Sequence, residues 1–421
     1  MKKKYFKFFF IISAFLITFL YASIWGYENP ESIEKAKSYF KKNKTPKIIV
    51  EDSDVKEIPA NSYSVELKKV FSLSEKTAFI INDNNFSEFN KSLIKIYTQN
   101  GYLIENSISK KLNLPKNFTL QRNGGLKNIF SYKKNLFAFI SAFENNCYYG
   151  SVIYLKNSRE LLKTKCLPLP AKKIDFNGIG SSSVHFNNNI YLSIGTPEQS
   201  SSEISVLAQD NNSLFGKIIE ISGNDLDSFI LNQEIKIKPK IFTKGHRNPQ
   251  GLTRINENLF SVEHGPKGGD ELNKLVRDKN YGWPQVSFGT KYLYDNEGKS
   301  YNYNHTKSGF EEPLFALVPS VGISSINVCP NILNKFYKKP CLIALSLNGN
   351  NLRPGRSLLI FLLNEDMNKV HSIEQIHLDI GLSLRHFLTN SKNELYEDNE
   401  GNIYLSADKK GIYKIKFKKF R

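Results

Sequence analysis

The sequence is short of the residues that mark several common protein classes. Its 421 residues include four Cys and no CxxC spacing, which argues against a cysteine-based zinc site. Met and Trp number two each. No long amphipathic helix with clean caps follows residue 50, which argues against a helical bundle. Short runs rich in Ile, Val, Phe and Tyr recur instead, and they favour a β protein.

Acidic residues are also scarce relative to basic ones. Lys and Arg total 58 against 40 Asp and Glu, a formal net charge of +18. Nucleic-acid binding is one interpretation of such a charge. The Lys residues are spread along the chain, however, and cluster only at Lys2 to Lys4 and near Lys416. We therefore expect a solvated basic surface and no nucleic-acid partner.

One long uncharged apolar run stands out, Phe8 to Trp25, directly after MKKKYFK. This pattern indicates a signal anchor or a signal peptide. We favour an anchor because cleavable apolar cores are shorter and no clean A-x-A site follows. The predicted organisation is residues 1–27 as anchor or signal peptide, 28–60 as a membrane-proximal stalk, and 61–421 as the folded domain. That domain is expected on the periplasmic side of the inner membrane, or secreted if the anchor is cleaved.

The four Cys suit such an oxidising compartment. Cys147 and Cys166 flank a predicted hairpin that turns at Lys156 to Arg159, and Cys329 and Cys341 are twelve residues apart. Two disulfides are expected, with four buried free thiols as the alternative.

The spacing of the predicted strands indicates the architecture. Many short strands separated by turns are typical of sandwiches, barrels and propellers. Roughly 360 residues exceed a single sandwich and fit six propeller blades of about sixty residues each. The segments FNNNIYLSIG and EDNEGNIYLSAD are similar, as equivalent strands of two blades would be. The predicted fold class is therefore an all-β six-bladed β-propeller preceded by the N-terminal helix.

Polar residues are concentrated in GHRNPQGL, Gly245 to Leu252, and EHGPKGGDELN, Glu263 to Asn273. Arg247 offers a planar fork to a carboxylate, and Asn248 offers a donor and an acceptor. Backbone carbonyls of a bent Gly-rich segment together with Glu271 are oxygen ligands that suit calcium. The alternative for both segments is structural: a connecting loop, and a Gly-rich turn with solvated acids.

These two segments, followed by NYGWP, resemble the soluble quinoprotein aldose dehydrogenases, the glucose/sorbosone dehydrogenase family. AQDNNSLFGKIIEI resembles that family's AQD…GKILRI segment, NGGLKNIF its GGLL segment, and PSVGISSI and GNIYLSAD further segments. The resemblance covers roughly residues 60 to 418. It implies a six-bladed propeller with a pyrroloquinoline quinone (PQQ) and calcium site at the centre of one face.

The resemblance also implies roles for particular residues. Arg247, Asn248 and Arg385 match cofactor contacts, and Gly265 and Pro266 match carbonyl ligands of calcium; Glu271 is added as a candidate metal ligand. In the family, a sugar is oxidised to a lactone while a His takes the hydroxyl proton. The substrate implied is a small sugar, and the electron acceptor is not specified by any motif.

The chain departs from the family pattern at several positions. Ile179 occupies the position of the catalytic His, and His185 lies six residues later, where nothing indicates that it reaches the same point. His246 and His264 are candidate substitutes, each with a structural role as the alternative.

Ser383 replaces the first Arg of the family's late R-x-R-D motif, His386 replaces its Asp, and Asn348 replaces a Lys. The leading functional hypothesis is a PQQ- and calcium-dependent sugar dehydrogenase. Its alternative is a catalytically lapsed propeller that binds a glycan, a ligand or a protein partner. Other chemistry in the central pocket, such as calcium-dependent lactone hydrolysis, is a third hypothesis.

Overall fold

The computed structural model describes residues 48–49, 54–82, 94–168, 174–197, 203–231, 237–292, 300–347, 356–378, 380 and 383–418. Their strands form six antiparallel sheets, which are the six blades of a propeller. This confirms the predicted six-bladed all-β architecture. The predicted anchor, residues 1–27, lies outside the described residues. No helix in the described part of the chain is long and apolar enough to span a membrane.

The blades follow one another along the chain. Blade 1 contains β4 (Thr77–Asn82), β5 (Ile94–Thr98), β6 (Tyr102–Glu105) and β7 (Ile108–Lys111). Blade 2 contains β8 (Leu126–Tyr132), β9 (Asn135–Glu144), β10 (Cys147–Tyr154), β11 (Arg159–Lys163) and β12 (Leu167–Pro168). Blade 3 contains β13 (Ser183–Phe186), β14 (Asn189–Ile194), β15 (Lys217–Ile221) and β16 (Lys240–Lys244). Blade 4 contains β17 (Pro249–Ile255), β18 (Asn258–Glu263), β19 (Asp270–Leu275) and β20 (Phe315–Leu317). Blade 5 contains β21 (Ile323–Val328), β22 (Cys341–Ser346), β23 (Ser357–Leu363) and β24 (Val370–His377).

Blade 6 closes the ring with strands from both ends of the chain. Its C-terminal strands are β25 (Leu384–Phe387), β26 (Ile403–Ala407) and β27 (Gly411–Lys418), and the N-terminal β3 (Ser64–Leu73) pairs with β27. Two further strands, β1 (Ile48–Ile49) and β2 (Lys56–Pro59), pair with β3. The propeller sheet therefore begins before residue 61, and part of the segment predicted as a stalk belongs to this blade.

The core is divided into layers between neighbouring blades. Six large clusters of buried apolar side chains each join two adjacent blades, including the pair formed by blades 6 and 1. Middle strands such as β22 are buried along their whole length, because both faces of a blade are covered by neighbours. Outer strands such as β7 are exposed. The first strands β4, β8, β13, β17, β21 and β25 contact one another in sequence and so surround the propeller axis.

Two short helices interrupt the strand pattern, α1 (Gly223–Ile230) and α2 (Asn331–Tyr337). Helix α1 begins after Ser222, whose side chain accepts a hydrogen bond from the Asn224 amide, as an N-cap residue does. A short 3-10 helix, Phe176–Gly178, precedes β13.

One of the two expected disulfides is present. Cys329 and Cys341 are bonded, whereas Cys147 and Cys166 are unbonded thiols. The predicted hairpin between that second pair does form, with Tyr154 opposite Arg159. Burial, with the Cys166 thiol within hydrogen-bond reach, raises the pKa of Cys147 to about 11. This thiol is therefore a weak nucleophile at neutral pH, because the thiolate is the reactive form.

Candidate functional site

A cavity of about 510 Å³, partly open to solvent, lies between the first strands of blades 1, 2, 4 and 6 and the segment that precedes β13 of blade 3. We call it the axial cavity. It is lined by Lys76, Thr77, Ala78, Gln99, Leu126, Lys127, Phe176, Asn177, Ile179, Gly180, Ser181, Gln250, Arg385 and His386. Three of these side chains are cationic and several carry amides or hydroxyls. A concave site with a few converging polar groups is the usual setting for a small ligand.

A second, smaller cavity of about 230 Å³ lies in blade 4, and we call it the side cavity. It is lined by Gly245, Arg247, Glu263, His264, Gly265, Pro266, Glu271, Tyr281, Trp283, Val286 and Ser287. The structure thus brings together Arg247 with the three predicted metal ligands. Arg385 lies apart from them, in the axial cavity.

The loop before β17 is held in place from both sides. Gly245 has φ +77°, and a Cβ there would lie 2.2 Å from Asn280 Oδ1, so glycine is required. The Arg247 backbone N–H donates to Glu263 Oε2 at 3.0 Å. Its Nη1 donates to the carbonyls of His264 and Gly265, both at 3.1 Å. The guanidinium also lies over the Trp283 ring, 5.3 Å from its centroid. These contacts fix Arg247 as a cation of the side cavity.

Asn248 connects the two cavities. Its Oδ1 accepts hydrogen bonds from the Gly180 N–H at 2.7 Å and from Gln250 Nε2 at 2.9 Å. The amide orientation is therefore fixed, and Nδ2 donates to the Asn177 carbonyl and to His264 Nδ1, both at 3.3 Å. His264 Nδ1 is then an acceptor, so the proton of the neutral ring sits on Nε2.

This tautomer decides what His264 can do. Burial is the main cause that lowers its pKa, and the neighbouring Arg247 and Arg385 lower it further, while Asp270 and a hydrogen bond to the Ile323 backbone raise it. The ring is therefore neutral at neutral pH. Its buried Nε2 has no hydrogen-bond partner among the described residues. As an N–H group, Nε2 can donate a hydrogen bond but cannot accept a proton.

The other predicted substitute base, His246, is enclosed by protein. It is fully buried, with Nε2 2.8 Å from Thr243 Oγ1 and Nδ1 3.4 Å from Glu263 Oε1. Its ring is stacked on Tyr281, with the centroids 4.7 Å apart. Both nitrogens are thus engaged by the protein, which favours the structural alternative for this residue.

Ile179 does line the axial cavity, at the position where the resemblance implies a catalytic His. It carries no group that can accept a proton. His386, in contrast, lines the same cavity, which sequence reasoning did not predict. Burial, together with the adjacent Arg385, lowers the pKa of His386 to about 3, and its ring hydrogen-bonds to the Thr77 backbone. Its ring is therefore neutral.

Arg385 is oriented by an acid of the same blade. Its Nε donates to Asp408 Oδ1 at 3.2 Å, and its Nη2 donates to Asp408 Oδ2. Such a two-point pair fixes the plane of the guanidinium. Ser383 contributes its backbone carbonyl, which accepts from the Asp408 N–H at 2.8 Å. Asn348, the other departure from the family pattern, lies outside the described residues.

The acids of EHGPKGGDELN are buried, so the alternative of solvated acids is wrong. Asp270 is fully buried and accepts from the backbone N–H groups of Gly265, Val321 and Ile323 and from the Ser320 hydroxyl. Burial and the adjacent Glu263 raise the pKa of Glu271 well above its usual value. This shift disfavours the carboxylate form that a metal ligand requires.

The side cavity offers calcium only part of a coordination shell. No group of three or more His, Cys, Asp or Glu side chains that could hold a metal occurs in the part of the chain that the structure describes. Gly265 and Pro266 line the cavity, but the Gly265 carbonyl already accepts from Arg247. Calcium, which takes six to eight oxygens, would need further oxygens from a bound ligand. The residues alone do not make a calcium site.

PQQ, which carries several carboxylates, fits the donors present better. Arg247 and His264 line the side cavity, and Arg385 lines the axial cavity. Together they present cationic and neutral donors to an anionic, carbonyl-bearing ligand.

His185, which the sequence placed away from the site, does not line either cavity. Burial, opposed by Glu394, lowers its pKa to about 4. Between pH 6.5 and 4 the unfolded chain therefore binds a proton that the folded chain excludes, and stability falls as the pH falls. His185→Leu should reduce the loss of unfolding free energy between pH 7 and pH 4.5 by about 2 kcal/mol. Urea unfolding at pH 7 and pH 4.5 measures it, and equal pH dependence in both proteins would contradict the assignment.

The fold and the site define a class: six-bladed propellers with a ligand cavity on the axis, lined by cations and amides. The chain belongs to the glucose/sorbosone dehydrogenase family, whose model matches residues 76–411. The structure is similar to that of the soluble aldose sugar dehydrogenase of Escherichia coli in its apo form, with a TM-score of 0.57, 20% identity, and coverage of 84% of this chain and 99% of that one. The PQQ-bound aldose sugar dehydrogenase of Streptomyces coelicolor gives a TM-score of 0.52 at 16% identity, covering 86% and 100%.

Two curated relatives are similar over shorter stretches. The aldose sugar dehydrogenase YliI of Escherichia coli (strain K12) is 30% identical over 162 residues, 34% of this chain and 42% of that protein. Quinoprotein glucose dehydrogenase B of Acinetobacter calcoaceticus is 38% identical over 101 residues, 23% and 20% of the two chains. The aligned segments therefore span less than half of each relative. These similarities support membership of a family of sugar dehydrogenases. The activity of this chain is proposed below from its own site.

Proposed function

We propose that this protein is a PQQ- and calcium-dependent sugar dehydrogenase that oxidises an aldose to a lactone. The observation that carries the proposal is a pair of cavities in a propeller of this family: Arg385 lines the axial cavity, His264 lines the side cavity, and Asn248 hydrogen-bonds to Gly180 of the first and to His264 of the second. Similar proteins are named as a quinoprotein glucose dehydrogenase and as a PQQ-bound aldose sugar dehydrogenase.

The chain's own residues would bind and orient the reactants. Arg247 and Arg385 provide positive charge for carboxylates, while Asn248 holds His264 in the tautomer that donates from Nε2. PQQ, when bound, supplies the two-electron acceptor for the hydride of the anomeric carbon. Gln99, Gln250 and Ser181 line the axial cavity and can bind sugar hydroxyls. Gly265 and Pro266 are the proposed calcium carbonyls, with the remaining oxygens supplied by the ligand.

This mechanism lacks a residue that readily accepts the proton of the sugar hydroxyl. Ile179 cannot accept it, and His264 already carries a proton on Nε2. His386 is neutral and faces the cavity, but its pKa of about 3 makes it a poor base. Loss of a matched general base typically costs about 10²–10⁴ in rate, so we expect slow turnover.

A test uses the full-length protein with added PQQ and calcium. Calorimetry measures PQQ binding, and reduction of a redox dye is followed with a panel of aldoses. The proposal expects PQQ binding and slow, PQQ-dependent dye reduction with at least one aldose, lost in Arg385→Ala. Protein treated with a chelator and given no PQQ is the blank. Absence of PQQ binding to the wild type would overturn the proposal.

PQQ binding without turnover would instead favour the second candidate, a propeller of the same family that binds a glycan, a ligand or a protein partner without oxidising it. Ile179 at the base position is the observation that supports this candidate.

We further propose that the propeller lies on the periplasmic side of the inner membrane, anchored through residues 1–27, or is secreted if that segment is cleaved. The charged MKKKYFK followed by an apolar run supports this location. The Cys329–Cys341 disulfide supports an oxidising compartment independently.

A further inference from the structure

The axial cavity continues along the propeller axis into a further space. This space, of about 350 Å³, shares Ser181, Gln250 and His386 with the axial cavity, and we call it the far cavity. On β4, Ala78 lines the axial cavity and the next residue, Phe79, lines the far cavity. The two spaces therefore follow each other along the first strands of the blades, which surround the axis.

The same order holds on the first strands of other blades. On β8, Leu126 and Lys127 line the axial cavity, and Asn128 lines the far cavity. On β17, Gln250 lines both spaces and Leu252 lines only the far cavity. The far cavity thus lies closer to the C-terminal ends of these strands.

A turn of blade 6 lies at the end of the far cavity. It comprises residues 389–395, between β25 and β26, and we call it the plug turn. Its residues Thr389 and Asn393 line the far cavity. The Asn390 N–H donates to the Glu394 carbonyl at 2.9 Å, and Asn390 Oδ1 accepts from the Glu394 N–H at 3.1 Å. These bonds close the turn on itself and make it a compact element.

The plug turn contacts the first strand of each of the other five blades. The residues contacted are Ile80 of β4, Ser131 of β8, Ser183 of β13, Arg254 of β17 and Asn327 of β21. All of these except Ser183 lie within two residues of the C-terminal end of their strand. A turn that starts in blade 6 and reaches all the strands around the axis must cross that axis.

Hydrogen bonds and one ion pair make these contacts specific. In blade 2, the Ser131 hydroxyl donates to the Ser391 carbonyl at 2.6 Å. In blade 5, Asn327 Oδ1 accepts from the Leu395 N–H at 2.9 Å.

The contacts with blades 3 and 4 lie farthest around the ring from blade 6. Asn393 Nδ2 donates to the Ser183 carbonyl, and Arg254 Nη2 lies 3.6 Å from Glu394 Oε1. The turn is therefore held from several sides of the channel at once.

The far cavity that the turn covers is polar but carries no lining charge. None of the described residues that line it is Asp, Glu, Lys or Arg. Asn128 and Ser181 are buried there, and Asn128 Nδ2 and Ser181 Oγ have no hydrogen-bond partner among the described residues. Buried polar groups are usually satisfied by protein or by ordered water. A closed polar space of this kind suits ordered water.

We propose that the plug turn closes the far end of the axial channel, so that the axial cavity is a blind pocket with ordered water at its floor. A ligand then enters and leaves only at the end of the axis remote from the plug turn. This inference concerns access to the cavity and goes beyond the proposed function. It holds whether or not the protein oxidises a sugar.

The test measures the accessibility of two engineered thiols in the full-length protein. Cys147→Ser/Cys166→Ser first removes the two unbonded thiols, and the other two Cys of the chain are disulfide-bonded. In this background Ser325→Cys reports on the far cavity and Gln99→Cys on the axial cavity. Each reporter is alkylated with iodoacetamide, and mass spectrometry follows the rate.

Each reporter is measured with and without the plug turn. The plug variant replaces residues 391–394 by two glycines, and Lys392→Ala, which truncates an exposed side chain of the same turn, is the matched control. Removal of the plug should speed alkylation of the far-cavity reporter at least about tenfold, because the thiol then no longer depends on local opening for contact with reagent. The axial reporter and the control should keep their rates.

Equal rates for the far-cavity reporter with and without the plug would overturn the proposal. An equal rise for both reporters would also overturn it, because that pattern indicates a general loosening of the propeller. If circular dichroism shows that the plug variant does not fold, Asn327→Ala/Asn393→Gly decides in its place. It removes side-chain contacts with two blades and keeps the backbone of the turn, since Asn393 has φ +64°, which glycine adopts readily. The far-cavity reporter alone should again react faster.

Discussion

Asp270→Ala should destabilise the propeller by roughly 4 kcal/mol or more, because it removes an acceptor that four donors share. Asp270 is fully buried, and its two oxygens accept from the N–H groups of Gly265, Val321 and Ile323. Without it, three backbone N–H groups are buried without partners. Each such group costs about 1–3 kcal/mol. Urea unfolding followed by circular dichroism measures the difference.

Two further variants keep this prediction decisive. Asp270→Asn keeps one acceptor oxygen but turns an NH₂ group toward N–H donors, so it should lose about half as much stability. Asp366→Ala, an exposed acid in the turn after β23, should stay within about 0.5 kcal/mol of the wild type. A free energy of unfolding for Asp270→Ala within 1 kcal/mol of the wild type would contradict this account.

Asp270 also explains why the Gly-rich segment is ordered. It lies at the start of β19 in blade 4 and accepts from the N–H of Ile323, the first residue of β21 in blade 5. The same carboxylate holds the Gly265 N–H at 3.1 Å. The geometry of the side cavity therefore depends on a bond between two blades, and loss of Asp270 should impair ligand binding as well as stability.

The repeat pattern of the fold could be predicted from the sequence, because it follows from local periodicity. FNNNIYLSIG and EDNEGNIYLSAD contain β14 and β26, the second strands of blades 3 and 6, as equivalent strands of two blades should. The hairpin at Lys156 to Arg159 also formed as expected. Each of these features depends on residues that are close in sequence.

Features that join distant parts of the chain were not predicted. The closure of blade 6 pairs β3 with β27, and the two extra N-terminal strands on β3 were assigned to a stalk. Lys76, Lys127 and Arg385 line one cavity only because blades 1, 2 and 6 share the axis. The burial of Asp270 and Glu271 likewise depends on blade 5 and on the interior of blade 4. Spacing along the sequence carries no signal for such contacts.

His264 shows how a single partner sets the chemistry of a site residue. The motif alone allowed His264 to act as a substitute base. Asn248 Nδ2, however, donates to its Nδ1 at 3.3 Å, and the orientation of that amide is set by the Gly180 N–H. The imidazole is thereby held with its proton on Nε2. This nitrogen therefore cannot act as a base.

Asn248→Asp should reverse this state. The carboxylate would accept from His264 Nδ1–H, so the proton moves to Nδ1 and Nε2 becomes a bare acceptor, as in a His oriented by an acid. The Gly180 bond is kept, but the new oxygen lies near the Asn177 carbonyl, and we expect a stability cost of about 1–2 kcal/mol. Imidazole ¹⁵N chemical shifts of the His264 ring report the tautomer directly, without any cofactor.

If the proposed dehydrogenase function holds, the same variant should gain rate, because a histidine with a free Nε2 then lies beside the two arginines. About 10² in PQQ-dependent turnover is the expected gain, the lower end of what a general base supplies. Asn248→Ala is the matched control: it removes the donor to Nδ1 without adding a carboxylate, so it should lose stability and gain no rate. An Asn248→Asp protein whose His264 keeps its proton on Nε2 would show that Asn248 does not set the tautomer. A switched tautomer without faster turnover would place the missing base elsewhere, with His386, which lines the axial cavity, as the next candidate.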